Sequence, residues 1–232
     1  MSDAVLQFKS VCFDSISGQM ASVKDLSFRL EEGCVLMLHT DADSEHAPII
    51  DLGLGLASPD CGYVHFMGSS WSDMDAFTEA DNRGRIGCMF EKPSWISNLS
   101  VLENIKLRER HHTRRDEDSI TEEVFKLAAD LGITDFDDMH LRPHLVSQRR
   151  LRVYEWVRAS MGNPVAILMS FPERGAPSYA LEQLINHVKR MAAVNTAVLW
   201  MTDRDDIFDH NELNKLQVRI ETQKRNNNET KI

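Results

Sequence analysis

The chain has 232 residues, 42% of them hydrophobic and 27% charged, a composition that excludes a disordered tail and suits a globular domain. Lys and Arg total 26 against 36 Asp and Glu, so the formal charge is −10 and generic attraction to nucleic acid is disfavoured. No apolar run approaches the roughly 18 residues of a membrane helix, and Met1-Ser2-Asp3 lacks the basic and apolar regions of a cleaved signal, so a soluble, non-secreted protein is expected. The four cysteines, Cys12, Cys34, Cys61 and Cys88, contain no C-x-x-C pair and read as reduced thiols in or near the core.

Val5 to Phe13 and Gly62 to Phe66 read as edge or antiparallel strands. Cys34–Leu38, Arg85–Phe90, Val165–Met169 and Thr196–Met201 are continuous apolar runs, the pattern of strands buried on both faces of a parallel sheet. Helices fill the intervals. Ser119-Ile120-Thr121-Glu122 has capping-box spacing, Ile120, Val124, Leu127, Ala128 and Leu131 make one stripe, and Gly132 is placed to end the helix. Leu181, Leu184, Ile185, Val188, Met191 and Ala192 make another. The alternation of helix and buried strand predicts an α/β fold. Between about Lys92 and Met161 no buried strand is evident, so a helical lobe is expected there. Thr222 to Ile232 is a polar, Asn-rich tail.

The order of these pieces resembles the nucleotide-binding subunit of ABC transporters over residues 4 to 221. Leu26–Gly33 is similar to the strand and turn before that family's phosphate loop, and Gly53–Gly62 to the helix end and turn after it. Arg85–Glu91 followed by Leu99–Ile105 is similar to the Q-loop region. Arg158–Pro164, the strand after it and Pro172 resemble the signature helix running into the Walker B strand. The resemblance implies one domain over 1–221: an α/β, P-loop-like core (4–91 and 162–221) with a mainly parallel sheet, an antiparallel β subdomain and an inserted helical subdomain (about 92–161).

The family's working residues are missing from this frame. An ATP-binding loop needs glycines so that backbone N–H groups close on phosphate, a lysine for charge and a hydroxyl for Mg²⁺. The matching positions hold Thr40, Asp43 and Glu45 for glycines, His46 for lysine and Ala47 for the hydroxyl. Asp41, Asp43 and Glu45 place three carboxylates where triphosphate would lie, each unit pair costing about 4 kcal/mol at an effective dielectric near 20. The Walker B aspartate and the catalytic glutamate fall on Ser170 and Phe171, the Q-loop glutamine on Glu91, the switch histidine on Asp203 and the D-loop aspartate on Pro177. The signature aligns with Val146–Arg150, where only Ser147 is kept, and the adenine-stacking aromatic falls near Ser15 or Phe13. The resemblance therefore implies a pseudo-ATPase with no catalytic residue, no cofactor and no metal.

Other clusters admit two readings each. His39, Asp41, Asp43 and His46 form either a solvated acidic loop or a metal site. Lys106, Arg108, Arg110, His111, His112, Arg114 and Arg115 are either a helix end balanced by Asp116, Glu117 and Asp118 or a contact for anionic lipid or an acidic partner. Trp95, Ile96 and Leu99 either pack inside or, with Glu91 and Lys92, receive the coupling helix of a membrane permease, as in the family. Trp156 and Val157 are assigned to the core. No G-x-S-x-G elbow surrounds Ser170, which disfavours a nucleophile paired with His187 or Asp203. The expected partners are a membrane permease and a second ABC subunit, identical or different, with the chain peripheral on the cytoplasmic face of the membrane. Leu99–Thr113 is similar to ATPases of Mce-associated lipid transporters, which implies lipid as cargo. The alternatives are a weakly active ATPase using Glu91 or Asp203 as base, and a soluble regulator binding another protein through the same cleft.

Overall fold

A computed structural model describes residues 4–14, 22–40, 48–178, 180–209 and 215–220. Every residue of β3 (Val35–Thr40), β7 (Ala166–Ser170) and β8 (Ala197–Thr202) is buried. With β6 (Ile86–Met89) and β9 (Lys215–Ile220) they form a parallel sheet of order β6-β7-β8-β3-β9. The four continuous apolar runs are thus all strands of the parallel sheet: β7, β8 and β3 are its central strands and β6 lies at its edge. A second, antiparallel sheet has the order β2-β1-β4-β5, from β1 (Leu6–Phe13), β2 (Val23–Leu30), β4 (Cys61–Phe66) and β5 (Ser69–Ser70). The fold is α/β with one parallel and one antiparallel sheet, in agreement with the sequence reading.

Alternating side chains of the parallel sheet enter two separate cores. Leu36, Leu38, Leu168, Leu199 and Met201 pack with Phe8, Leu30 and Phe66 of the antiparallel sheet, where Phe8 and Phe28 stack at 4.5 Å. Met37, Ile167, Met169, Val198 and Trp200 face the helices. Among these are α3 (Val101–His112), α4 (Glu117–Asp130), α5 (Gln148–Ser160) and α6 (Ala180–Ala193); the short helices α1 (Ile49–Gly53), α2 (Ala76–Gly84) and α7 (Asp205–Phe208) complete the set. Trp156 and Val157 are core residues, as assigned. A Cβ at Gly87 would lie 1.8 Å from the Ala159 carbonyl, so only glycine lets α5 pack this closely on β6.

Two expectations are corrected. Helix α4 starts earlier than the Ser119 capping box: Asp116 is the N-cap and accepts from the Ser119 amide at 2.8 Å. Both residues are good caps, and the carboxylate upstream has taken the role, leaving Ser119 in the first turn. Ile120, Val124, Ala128 and Leu131 of its stripe are buried, and Gly132 at φ +85° follows the helix. The cysteines are not all free thiols. Cys12 and Cys61 are register partners on β1 and β4 and form a disulfide, while Cys34 and Cys88 are free and half-buried. Thiol titration of the unfolded, unreduced protein should therefore find two reactive groups, rising to four after reduction.

His187 on α6 lies 2.7 Å from the Ser160 hydroxyl, which donates to the Trp156 carbonyl at 2.8 Å. Burial, assisted by Arg190 and opposed by Asp130, lowers the imidazole from 6.5 to about 4. The unfolded chain therefore binds this proton more readily, and stability is lost as pH falls from 6.5 toward 4. The expected loss by pH 5 is about 2 kcal/mol from this group. His187→Gln should flatten the dependence of urea midpoint on pH between 7 and 5; an unchanged slope would assign the loss to other groups.

Candidate functional site

Parallel strands bring their carboxyl ends to one edge, where loops diverge and α/β folds place their ligands. Here β3 ends at Thr40, β6 leads to Glu91, β7 ends at Ser170 and Phe171, and β8 leads to Asp203. Thr40 is fully buried, and its hydroxyl has no hydrogen-bond partner among the described residues. Asp43, Glu45, His46 and Ala47, and with them most of the suggested metal cluster, lie outside the described residues. His39 contacts Asp205 at 3.3 Å and meets the Phe208 ring edge-on. No group of three metal-ligating side chains occurs among the described residues.

The end of β7 is held from below. Arg152 of α5 donates to the Ser170 carbonyl at 3.0 Å and to the Phe171 carbonyl, and the Trp156 indole donates to the Pro172 carbonyl at 3.1 Å. Phe171 is buried at φ +46°, a costly conformation for a bulky residue. Its amide donates to the Met201 carbonyl at 3.0 Å. The next carboxylate, Glu173, turns inward: it is 7% exposed and accepts from the Trp200 indole at 3.0 Å and the Thr202 hydroxyl at 2.6 Å. Burial pushes its carboxyl above the usual range. Arg174 turns outward over the Phe171 ring, 3.8 Å from its centroid, and bridges Glu91 at 3.1 Å and Asp203 at 2.8 Å.

Glu91, Lys92, Trp95, Ile96 and Leu99 lie on one segment between β6 and α3. Lys92 is exposed, Ile96 is 47% exposed, and Leu99 is half-buried. Trp95 packs against the helical core, with the Arg158 guanidinium 4.6 Å from its ring. Arg158 also donates to the Ser94 carbonyl at 2.8 Å, and Arg152 to the Phe90 carbonyl at 3.4 Å. Asn104, 1% exposed, accepts from the Ile96 amide at 2.8 Å and donates to the Ile96 and Ser100 carbonyls. Ser100 and Glu103 form a full capping box at the start of α3.

Ser147 does not join these groups; it caps α5, accepting from the Arg150 amide at 3.3 Å, and Arg150 pairs with Asp138 at 2.8 Å. The basic cluster is largely neutralised internally. Lys106 and Arg110 share Glu117, Arg115 pairs with Glu109 and Glu123, and Arg108 pairs with Glu109. The sequence reading missed Asn104, Arg152, Arg158, Glu173 and Arg174 as organising residues. One signal was present: Arg152 and Glu155 are charged residues on the buried side of α5, spaced i, i+3.

No family model matches the chain. By sequence it is similar to the ABC transporter ATP-binding protein YphE of Escherichia coli, 22% identical over 189 residues that cover 80% of this chain and 37% of that protein. It is also similar to the phosphonates import ATP-binding protein PhnC of Treponema denticola, 22% identical over 198 residues covering 81% and 75%. The chain thus spans little more than a third of the length of YphE. The dimeric structure of MJ0796, a bacterial ABC transporter cassette, matches with a TM-score of 0.79 at 18% identity, covering 87% of this chain and 89% of that one. A nucleotide-free ATP-binding cassette from an ABC transporter matches with a TM-score of 0.69 at 18% identity, covering 94% and 89%. The fold is that of an ATP-binding cassette, and the relatives and structural neighbours are ABC transporter ATP-binding cassettes.

Removing the Glu173 acceptor would strand two buried donors, the Trp200 indole and the Thr202 hydroxyl. Glu173→Ala should cost about 3 kcal/mol. Glu173→Gln, which keeps a carbonyl acceptor, should cost less than half of that. Urea unfolding of the two variants checks the order.

Proposed function

We propose that this chain is a non-catalytic ABC-type subunit that docks on a membrane permease as a structural or regulatory component of a transporter, with phospholipid as the cargo class. One observation carries the reading. At the strand ends where ATP hydrolysis needs free carboxylates, Ser170 and Phe171 are buried, Glu173 is turned into the core, and both Glu91 and Asp203 are engaged by Arg174. A general base must be free to contact the attacking water, and both carboxylates contact Arg174 instead. The sequence of the phosphate loop points the same way, because His46 and Ala47 stand at its lysine and hydroxyl positions.

The docking segment in this reading is Glu91–Leu99, with Ile96 as its exposed apolar residue. Its backbone is held against the helical lobe by Asn104 and Arg158. Pre-ordering reduces the entropy cost of docking. No helix among the described residues is long and apolar enough to cross a membrane. In this reading the chain is held at the cytoplasmic face by its permease, paired with a second ABC subunit, identical or different.

Thermal unfolding with and without millimolar Mg-ATP tests the absence of nucleotide binding. A ligand at 100 times its dissociation constant adds about 2.7 kcal/mol, worth roughly 5–10 °C for a domain of this size. We expect no shift and no phosphate release. A shift removed by Glu91→Gln or Asp203→Asn, with Arg110→Ala as a silent control, would replace this reading with a weak ATPase. Copurification of the tagged chain with a permease, lost in Ile96→Asp, separates the docked subunit from a free regulator.

A further inference from the structure

The loops after β6, β7 and β8 diverge from one edge of the sheet, yet one side chain touches all three. Arg174, on the loop after β7, has Nη1 3.1 Å from Glu91 after β6 and Nη2 2.8 Å from Asp203 after β8. The Phe171 ring lies 3.8 Å beneath its guanidinium. The three charged side chains are 29%, 24% and 20% exposed, so the bridge is partly withdrawn from solvent. Partial desolvation makes such a bridge stronger than a surface pair.

A lysine could not take this role. Its ammonium is one compact charge, whereas the planar guanidinium presents separate N–H groups to carboxylates on two sides while stacking on an aromatic ring. Without the cation the sheet edge would carry Glu91 and Asp203 with their shared counter-charge removed. Ligands of such folds bind in the crevice outside these strand ends. Here the chain supplies the cross-link itself.

We propose that Arg174 is a positioning residue, an internal counter-cation that joins the loops after β6, β7 and β8 so that this edge is assembled without a ligand. An anionic ligand seeking Arg174 would have to displace two carboxylates first. This closure does not require that the chain dock on a permease.

Hydrogen exchange of the full chain tests the idea. In Arg174→Ala, the hydrogen-bonded amides of both 96–99 and 204–209 should exchange about tenfold faster, while β3, β7 and β8 keep their rates. Millimolar guanidinium chloride, but not sodium chloride, should slow them again. Acceleration confined to 171–178 would overturn the proposal. Should Arg174→Ala lose its fold, single substitutions decide. Glu91→Gln should loosen 96–99 alone and Asp203→Asn should loosen 204–209 alone; no change in either would overturn it. The readout involves neither nucleotide nor permease, so its failure is distinct from failure of the functional reading above.

Discussion

Burial of both faces of the central strands is the constraint from which the rest of the molecule follows. β3, β7 and β8 expose no residue, so the sheet is stable only if something apolar covers each side. The antiparallel sheet covers one side with Phe8, Leu30 and Phe66, and helices cover the other around Trp156 and Trp200. The strand ends are not covered by either layer. The carboxyl ends therefore become the place where polar groups can gather, and Glu91, Arg174 and Asp203 gather there.

The same geometry explains which charges became structural. α5 packs on β6 through Gly87, which brings Arg152 and Arg158 within reach of the loop after β6. Between them lies Glu155, 1% exposed, whose carboxyl is raised by burial against the pull of both arginines. In the basic run from Lys106 to Arg115, pairing with Glu109, Glu117 and Glu123 ties α3 to α4. Four residues that read as part of a surface patch in one dimension, Lys106, Arg108, Arg110 and Arg115, are paired with carboxylates in three.

The strands were legible because continuous apolar runs have few interpretations once helices flank them. Val165–Met169 and Thr196–Met201 fall within a residue of β7 and β8. The start of α4 was less legible because Asp116 and Ser119 are both competent caps and local sequence does not rank them. The Cys12–Cys61 pair was illegible for another reason. It depends on the register of strands 49 residues apart, with an irregularity in the pairing beside Cys12. In the candidate site, Glu91 and Asp203 could be placed by family order, but the side chain joining them could not. An arginine in a loop carries no sign of its partner until the strands are side by side.

Arg152 shows why a buried charge can persist where an apolar residue would pack. Buried ion pairs are often no better than hydrophobic replacements, because desolvation offsets their attraction. Here the guanidinium also donates to the carbonyls of Ser170 and Phe171. Those carbonyls sit where β7 ends and the positive φ of Phe171 turns the chain out of the sheet. An apolar residue at 152 would remove the nearer of two cations from Glu155 and a donor from both carbonyls at once. The charge is retained because the backbone turn beneath the site needs donors, and that turn is what points Glu173 inward and Arg174 outward.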